Sequence, residues 1–247
     1  MNYEKEFKEY AKKHLGLNPL TTDAVVEHQI ANSISPMIVE EREMRATVIS
    51  VFDRLMMDRI LFLVGPVNDR MSTVVCAQLL FLDTLAKKDI NLYLDTPGGS
   101  VKSGLAMVDL MNYVNSDITT VNIGMCASMG SVLLSSGEKG KRSSLINAKV
   151  MIHQVSSGAS GHVEDNRISQ MEAEKYNYIL FKMISKNCGK SFNEVYSIAN
   201  RDKWFNSDQA VAFGLIDEVI GINKNDTMTT MLEGFDDHYK KILSKMK

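Results

Sequence analysis

The chain of 247 residues lacks a long apolar segment and an excess of charge of either sign. No run of about 18 apolar residues is present, so the sequence predicts no transmembrane helix. Lys and Arg (28) nearly balance Asp and Glu (30), and without a basic stripe nothing favours nucleic-acid binding. Residues 1–13 are charged throughout, where a secretory signal peptide has an apolar middle. We therefore expect a cytoplasmic protein that binds neither membrane nor nucleic acid.

Cysteine is also scarce. The three cysteines, Cys76, Cys126 and Cys188, are odd in number, widely spaced and set among apolar or helical neighbours. This pattern is typical of reduced thiols, not of a disulfide framework or a metal site. The phosphate-binding pattern Gly-x-x-x-x-Gly-Lys-Ser/Thr is missing as well. We therefore expect no ATP, metal ion or other cofactor in this chain.

What the sequence does contain is an alternation of strand and helix patterns. At this length, with 45% hydrophobic residues, one α/β domain is the simplest expectation. Serial β and α units predict right-handed crossovers and a layered fold. Predicted strands lie at residues 60–64, 90–94, 118–123 and 149–152, and predicted helices at residues 69–85, from 101 onward, and 163–188.

One serine lies at a junction of such elements. Residues 124–130 read Gly-Met-Cys-Ala-Ser-Met-Gly, between the strand pattern at 118–123 and a helix predicted over 131–136. A hydroxyl at the first turn of a helix faces unpaired N–H groups and the positive end of the dipole, which favour an oxyanion. Ser128 is therefore either a nucleophile or an N-cap.

A serine nucleophile needs a base, and the chain offers five histidines. His153 ends the apolar run 150–152, so it is expected at the carboxyl edge of a sheet, where open α/β folds place their ligands. His162 follows the Gly-rich residues 156–161 and is expected to cap or face the next helix. A surface position is expected for the others, His14, His28 and His238.

The third member of a triad is a carboxylate that orients the imidazole. No Asp lies between Ser128 and His153, which excludes the α/β-hydrolase order, and Cys126 replaces the first Gly of Gly-x-Ser-x-Gly. The downstream candidates are Asp165, Asp202, Asp208 and Asp217. First-turn positions explain Asp165 and Asp208 through the helix dipole. Asp202 lies between two helices and is expected to be partly buried yet able to reach a neighbour, so the residue pattern alone makes it only a modest favourite.

Five motifs occur in order: Thr-Pro-Gly-Gly-Ser at 96–100, the serine motif at 124–130, Lys-Gly-Lys-Arg at 139–142, Val-Met-Ile-His-Gln at 150–154 and Arg-Asp-Lys-Trp-Phe at 201–205. Together they resemble the proteolytic subunits of the Clp protease family over about residues 36–220. The resemblance implies that Ser128 is the nucleophile, His153 the general base and Asp202 its orienting acid. It also implies an oxyanion hole made by the backbone N–H groups of Gly99 and Met129.

The resemblance implies an α/β fold of the crotonase-like type, a spiral of repeated β/α units with the helix after Gly161 protruding as a handle. Two seven-membered rings would join through these handles into a tetradecamer. Handle residues would then either bury against another copy or pack within the subunit: Ile168, Met171, Ile179 and Met183. Three regions are expected: an N-terminal extension or propeptide (1–35), a peptidase domain (36–222) and an amphipathic C-terminal tail (223–247).

The Gly-rich residues and the family resemblance also indicate where substrate and partner would bind. Backbone at Gly158, Ser160 and Gly161 would pair with an extended peptide by strand addition, and Gly98 would let the main chain approach the substrate. A hexameric AAA+ unfoldase of the Clp type, which uses the ATP, would dock on apolar positions. These are Tyr93, Tyr113 and Ile220, although Asn91 and Ser143 stand where relatives often carry aromatics.

The resulting hypothesis is a serine endopeptidase subunit that cuts unfolded polypeptides into short peptides inside a ring-shaped compartment. Two alternatives remain open at this point. The same fold hosts acyl-CoA hydratases and isomerases, and some related ring subunits are inactive. Neither alternative requires Ser128, His153 and Asp202 together, so the intact set argues against both.

Overall fold

The computed structural model describes residues 37–42, 45–158, 161–221 and 228–245, in two compact units, Met1–Ile60 and Leu61–Lys247. The expected N-terminal extension (1–35), Ser160 and Met246 lie outside the described residues. In the first unit, β1 (Met37–Arg42) and β2 (Arg45–Ser50) form an antiparallel hairpin. The short helix α1 (Val51–Met57) follows at once, because Ser50 Oγ accepts a hydrogen bond from the Asp53 N–H and caps it.

The second unit is built on a seven-stranded sheet. Its strands are β3 (Ile60–Val64), β4 (Ile90–Thr96), β5 (Ile118–Ala127), β6 (Arg142–Leu145), β7 (Lys149–Ile152), β8 (Lys203–Asn206) and β9 (Glu218–Ile220). The main path runs β3-β4-β5-β6-β9, with β5 parallel to β4 and β6. The carboxyl half of β5 exchanges β6 for β7, and β7 pairs antiparallel with β8.

Helices connect and cover these strands. They are α2 (Asp69–Leu85), α3 (Val101–Tyr113), α4 (Met129–Ser135), α5 (Val163–Cys188), α6 (Phe192–Ile198), α7 (Ser207–Phe213), α8 (Met228–Met231) and α9 (Phe235–Lys245). Val75, Leu79 and Leu82 recur along α2 at the spacing of one helical face, and all three are buried. The mixed α/β fold class that the sequence predicts is confirmed.

The junction at Ser128 differs from its predicted form. Strand β5 continues to Ala127, and α4 begins at Met129 instead of residue 131. The strand therefore passes into the helix through one residue, Ser128, which has φ 54°. The sequence pattern predicts a loop between the strand and the helix, whereas the chain turns within a single residue. Both predicted elements are therefore shorter than the observed ones.

The long helix α5 protrudes in the way that the sequence predicts for a handle. Its 26 residues span about 39 Å. The first four turns contain no buried residue, and the buried ones are Leu180, Phe181, Ile184, Ser185 and Cys188 at its carboxyl end. Ile168, Met171 and Ile179 are exposed, whereas Met183 is half-buried. Gly189 ends the helix in the left-handed conformation.

The described part of the tail is helical. Phe235, Tyr239 and Ile242 of α9 are exposed, and the rings of Phe235 and Tyr239 stack at 5.8 Å. Among the helices in the described ranges, none combines the length and the hydropathy needed to cross a membrane.

Candidate active site

Ser128 has a backbone conformation that serine rarely adopts, with φ 54° and ψ −122°. Hydrogen bonds hold it there: the Ser128 N–H donates to the Met151 carbonyl (2.9 Å), and the Ser131 N–H donates to the Ser128 carbonyl (2.9 Å). Ser128 occupies the N-cap position of α4, but its side chain makes no capping hydrogen bond there. Its hydroxyl Oγ instead lies 2.8 Å from His153 Nε2.

His153 reaches the serine through sheet register. Residues Met125 and Ala127 of β5 pair in parallel with Lys149 and Met151 of β7. Both strands therefore end at the same edge, where Ser128 and His153 follow them. The imidazole is mostly enclosed, with 22% of its side chain exposed.

Asp202 approaches the other side of the imidazole. It immediately precedes β8, which pairs antiparallel with β7 through Ile152 opposite Lys203. Asp202 Oδ1 lies 3.2 Å from His153 Nδ1. The carboxylate at this distance favours the tautomer with the proton on Nδ1, which leaves the Nε2 lone pair free to accept the serine proton.

The expectation that Asp202 is partly buried is wrong, since 62% of its side chain is exposed. The segment around it lies at the outer edge of the sheet, and the neighbouring Trp204 is 47% exposed. The competing carboxylates have other positions. Asp165 and Asp208 lie in the first turns of α5 and α7, and Asp217 pairs with Arg142.

The turn at residues 97–99 lies beside the serine. Val67 pairs with Gly99 in an isolated bridge through two hydrogen bonds, Val67 N–H to the Gly98 carbonyl (2.8 Å) and Ser100 N–H to the Val67 carbonyl (2.9 Å). The Gly99 N–H takes no part in this pairing. Met129 is the first residue of α4, so its N–H has no acceptor within the helix. Gly99 and Met129 line the same cleft as Ser128, whereas the Ser128 N–H is already bonded to the Met151 carbonyl.

Glycine is required in this turn. Gly98 has φ 89°, and a Cβ built on it would lie 2.7 Å from the Ser128 Cβ. Any side chain there would be strained and would displace the serine. Gly98 thus permits the close approach of this turn to the backbone around Ser128, while its predicted contact with the substrate stays a prediction.

A cleft of about 250 Å³ opens beside these residues. Its polar rim includes Gln154 and Ser156, while its apolar wall comes from Leu180, Phe181 and Ile184 at the base of α5. Of the predicted substrate-binding residues, Gly98, Gly158 and Gly161 do not line it, and Ser160 lies outside the described residues. The apolar wall was missed by sequence reasoning, although the spacing of its three residues on one helix face could have indicated it.

The neighbouring thiol is a poor competitor for the serine. Cys126 is buried two residues before Ser128, and burial, followed by the charge of Asp95, raises its pKa. Burial also raises the pKa of Cys188 to about 11. Both thiols stay protonated near neutral pH and are weak nucleophiles. In the part of the chain that is described, no three His, Cys, Asp or Glu side chains are grouped to hold a metal ion.

The predicted docking positions do not share one cleft. Ile220 lines a second cleft of about 330 Å³ together with Ile123 and Leu145. Tyr93 is half-buried, and its ring stacks on Phe62 at 5.4 Å. Tyr113 is 76% exposed at the end of α3. Only Ile220 of the three therefore contributes to this cleft.

Comparison with known proteins gives a consistent result. The family model described as Clp protease matches residues 41–223. An ATP-dependent Clp protease proteolytic subunit of Bacteroides fragilis (strain YCH46) is 44% identical over 216 residues, covering 87% of this chain and 98% of the relative. The protein of the same name from Porphyromonas gingivalis is 42% identical over 220 residues, 89% and 99% of the two chains. That from Streptococcus pyogenes serotype M5 is 43% identical over 192 residues, 76% and 98%.

Proposed function

Because the chain belongs to the Clp protease family, we propose that it is a serine endopeptidase whose catalytic residues are Ser128, His153 and Asp202. One observation carries this proposal. The hydroxyl of a serine held at positive φ lies 2.8 Å from an imidazole nitrogen, and the other nitrogen of that ring lies 3.2 Å from a carboxylate. Family membership supports peptidase activity, and this geometry supports its serine type.

The arrangement supports acyl transfer in two steps. Ser128 Oγ attacks the scissile carbonyl carbon while His153 Nε2 takes the serine proton, and Asp202 stabilises the imidazolium. The proton then passes to the leaving amine, the C–N bond breaks and an acyl ester remains on Ser128. Water, deprotonated by His153, attacks the ester carbonyl. As the bond to Ser128 Oγ breaks, His153 returns the proton to that oxygen and the second peptide is released. The N–H groups of Gly99 and Met129 stabilise the oxyanion in both steps.

The cleft supports an extended polypeptide as substrate. Its rim after His153 consists of Gln154, Val155 and Ser156. Two side chains hold that rim: Asn177 Oδ1 accepts a hydrogen bond from the Val155 N–H (3.1 Å), and Asn200 Oδ1 accepts one from Gln154 Nε2 (3.2 Å). A strand-like main chain laid along this rim would be held with little side-chain selectivity. Unfolded polypeptides meet that requirement.

The relatives are named as proteolytic subunits of an ATP-dependent protease. We therefore propose that this chain assembles with itself into two stacked heptameric rings, with the exposed apolar residues of α5 between them. A hexameric AAA+ unfoldase of the Clp type would hydrolyse the ATP and dock at the cleft lined by Ile220. The chain itself would need no cofactor, and its place would be the cytoplasm.

Hydrolysis of a short fluorogenic peptide tests the function. Ser128→Ala should lower turnover by on the order of 10⁴ to 10⁶ fold, because the nucleophile is lost. Ser136→Ala is the matched control, since it removes a hydroxyl at the other end of α4 and should leave turnover unchanged. Wild-type-like turnover in Ser128→Ala would refute the serine mechanism.

A further inference from the structure

Strand β5 contains an irregularity just before the serine. Opposite β4, Leu94 pairs with Asn122 and Thr96 pairs with Cys126, so Asp95 alone faces residues 123–125. We call these three residues the β5 bulge. On its other side, β5 pairs with β6 up to Asn122 and with β7 from Met125 onward. The bulge is thus the point at which β5 leaves one neighbour and joins the next.

Two side chains replace the ladder hydrogen bonds that the bulge interrupts. Asp95 Oδ1 accepts a hydrogen bond from the Met125 N–H at 3.0 Å. Asn122 Oδ1 accepts one from the Gly124 N–H at 3.3 Å, and its Nδ2 donates to the Lys149 carbonyl at 3.0 Å. Asn122 is fully buried, so loss of these partners would leave polar groups unpaired away from water.

The bulge and Asp95 also fit each other sterically. A Cβ built on Gly124 would lie 2.7 Å from Asp95 Oδ1 and 2.8 Å from its Cγ. The carboxylate therefore occupies the space that any side chain at position 124 would need. This contact fixes the position of the bulge relative to β4.

The residues that depend on this bulge are those of the active site. Past the bulge, two residues of β5 lead to Ser128, while the Lys149 carbonyl held by Asn122 begins the strand that delivers His153. Past Asp95, β4 leads to the turn containing Gly98 and Gly99. A shift in the register or position of β5 here would move the nucleophile relative to its base and to the oxyanion donors.

We propose that Asp95 and Asn122 are positioning residues that set Ser128 against His153 and against the turn at Gly98 and Gly99 by fixing the β5 bulge. The proposal rests on the proposed peptidase function. Neither side chain lines the catalytic cleft, so they act through the backbone of β5 and β7.

Position 95 requires a hydrogen-bond acceptor where Asp95 Oδ1 lies, and it does not require a negative charge. Asp95→Asn keeps an oxygen at that place, whereas Asp95→Glu keeps the charge and moves the oxygen outward. We expect Asp95→Glu to lower kcat for a short peptide by about 10²-fold with KM little changed, because misplacement of about 1 Å has that effect on the chemical step. Asp95→Asn should retain kcat to within about threefold.

A second pair tests Asn122. Asn122→Leu removes the bulge contacts, while Thr120→Val removes a buried hydrogen bond, to the Leu134 carbonyl (2.8 Å), two residues earlier on the same strand. Thermal unfolding is measured for both. At similar losses of stability, Asn122→Leu should lower kcat by about tenfold or more and Thr120→Val should not. If Asn122→Leu does not fold, the Asp95 pair decides.

The outcomes separate the two levels of inference. An inactive wild-type chain would overturn the proposed function itself. With an active wild type, unchanged kcat in Asp95→Glu would overturn the positioning role. Equal losses in Asp95→Asn and Asp95→Glu would overturn it too, because Asp95→Asn keeps the acceptor oxygen in place and should then have retained kcat.

Discussion

At the scale of single residues, Ser128 combines an unfavourable backbone conformation with a hydroxyl that does not cap its helix. A non-glycine residue at positive φ is destabilising by about 1–3 kcal/mol unless its surroundings require it. Here the bond from its N–H to Met151 and the close turn at Gly98 hold it in place. In this strained conformation Oγ points toward His153, unlike the side chain of a serine that caps its own helix.

The carboxylate of the triad can be tested against its competitors. Asp202→Asn should keep the fold but favour the wrong imidazole tautomer, lowering turnover by on the order of 10⁴ fold. Asp165→Asn and Asp208→Asn are matched controls, because these carboxylates lie in first turns of helices, and we expect little effect. Steady-state peptide hydrolysis measures all three. A damaging Asp165→Asn beside a harmless Asp202→Asn would show that the assignment is wrong.

The sequence was sufficient to predict the three residues of the triad but not the exposure of each side chain. The five motifs pointed to Ser128, His153 and Asp202, and the structure places His153 2.8 Å from Ser128 Oγ and 3.2 Å from Asp202 Oδ1. Their catalytic roles stay a prediction. The exposure of Asp202 was not predictable, because it depends on the outer edge of the sheet and not on the aromatic residues that follow it.

At the scale of elements, Arg142 joins four parts of the fold. Its fully buried guanidinium donates to the Ser135 and Asn187 carbonyls, at the carboxyl ends of α4 and α5, and to both oxygens of Asp217, which precedes β9. Burial alone would raise the pKa of Asp217, but the hydrogen bonds and the charge of Arg142 outweigh it and lower that pKa. The nucleophile helix is thereby tied to the base of the handle.

The lowered pKa gives a prediction about acid. Asp217 stabilises the folded state above its unfolded pKa of about 3.9, and this contribution is lost as pH falls through the lower folded value. At pH 7, Asp217→Asn should lower the free energy of unfolding by about 1–3 kcal/mol. The difference from wild type should shrink below about pH 4. Urea unfolding at fixed protein concentration measures it.

A suitable control for that experiment is Asp208→Asn, which removes a carboxylate from the first turn of α7 without touching Arg142. A difference between Asp217→Asn and wild type that persisted unchanged into strong acid would contradict the role given to the ionised carboxylate.

The bounds of a helix or strand could be predicted where they depend on residues close together in the sequence. The bounds of α2 and α5 follow from apolar spacing and from Gly189, and the structure has them where the sequence predicts. The end of β5 was missed, because the β5 bulge is held by Asp95 and Asn122 from positions that no local pattern connects. Pairing across the sheet decided that boundary.

At the scale of the whole molecule, the outer part of α5 presents apolar residues to solvent in the isolated chain: Ile168 is 60% exposed and Met171 49%. Such a surface on a protruding helix favours contact with another copy. This supports the proposed assembly through the handles.

Assembly should depend on that apolar surface. Ile168→Glu together with Met171→Glu should convert the assembled protein into smaller species, because a buried unpaired charge is strongly unfavourable. Gln170→Glu adds a charge at a polar position of the same helix and should leave the assembly intact. Sedimentation velocity gives the mass of each. An unchanged mass in the double variant would exclude this part of α5 from the interface.

The central claim is that Ser128 is an activated nucleophile, and covalent labelling tests it most directly. An aryl or alkyl fluorophosphonate loses fluoride to an activated serine and leaves a stable phosphonate ester. Peptide mapping by mass spectrometry of the labelled wild-type protein should find the added mass on Ser128 alone, and His153→Ala should abolish it. Labelling spread over several serines, or retained at Ser128 without His153, would contradict the account.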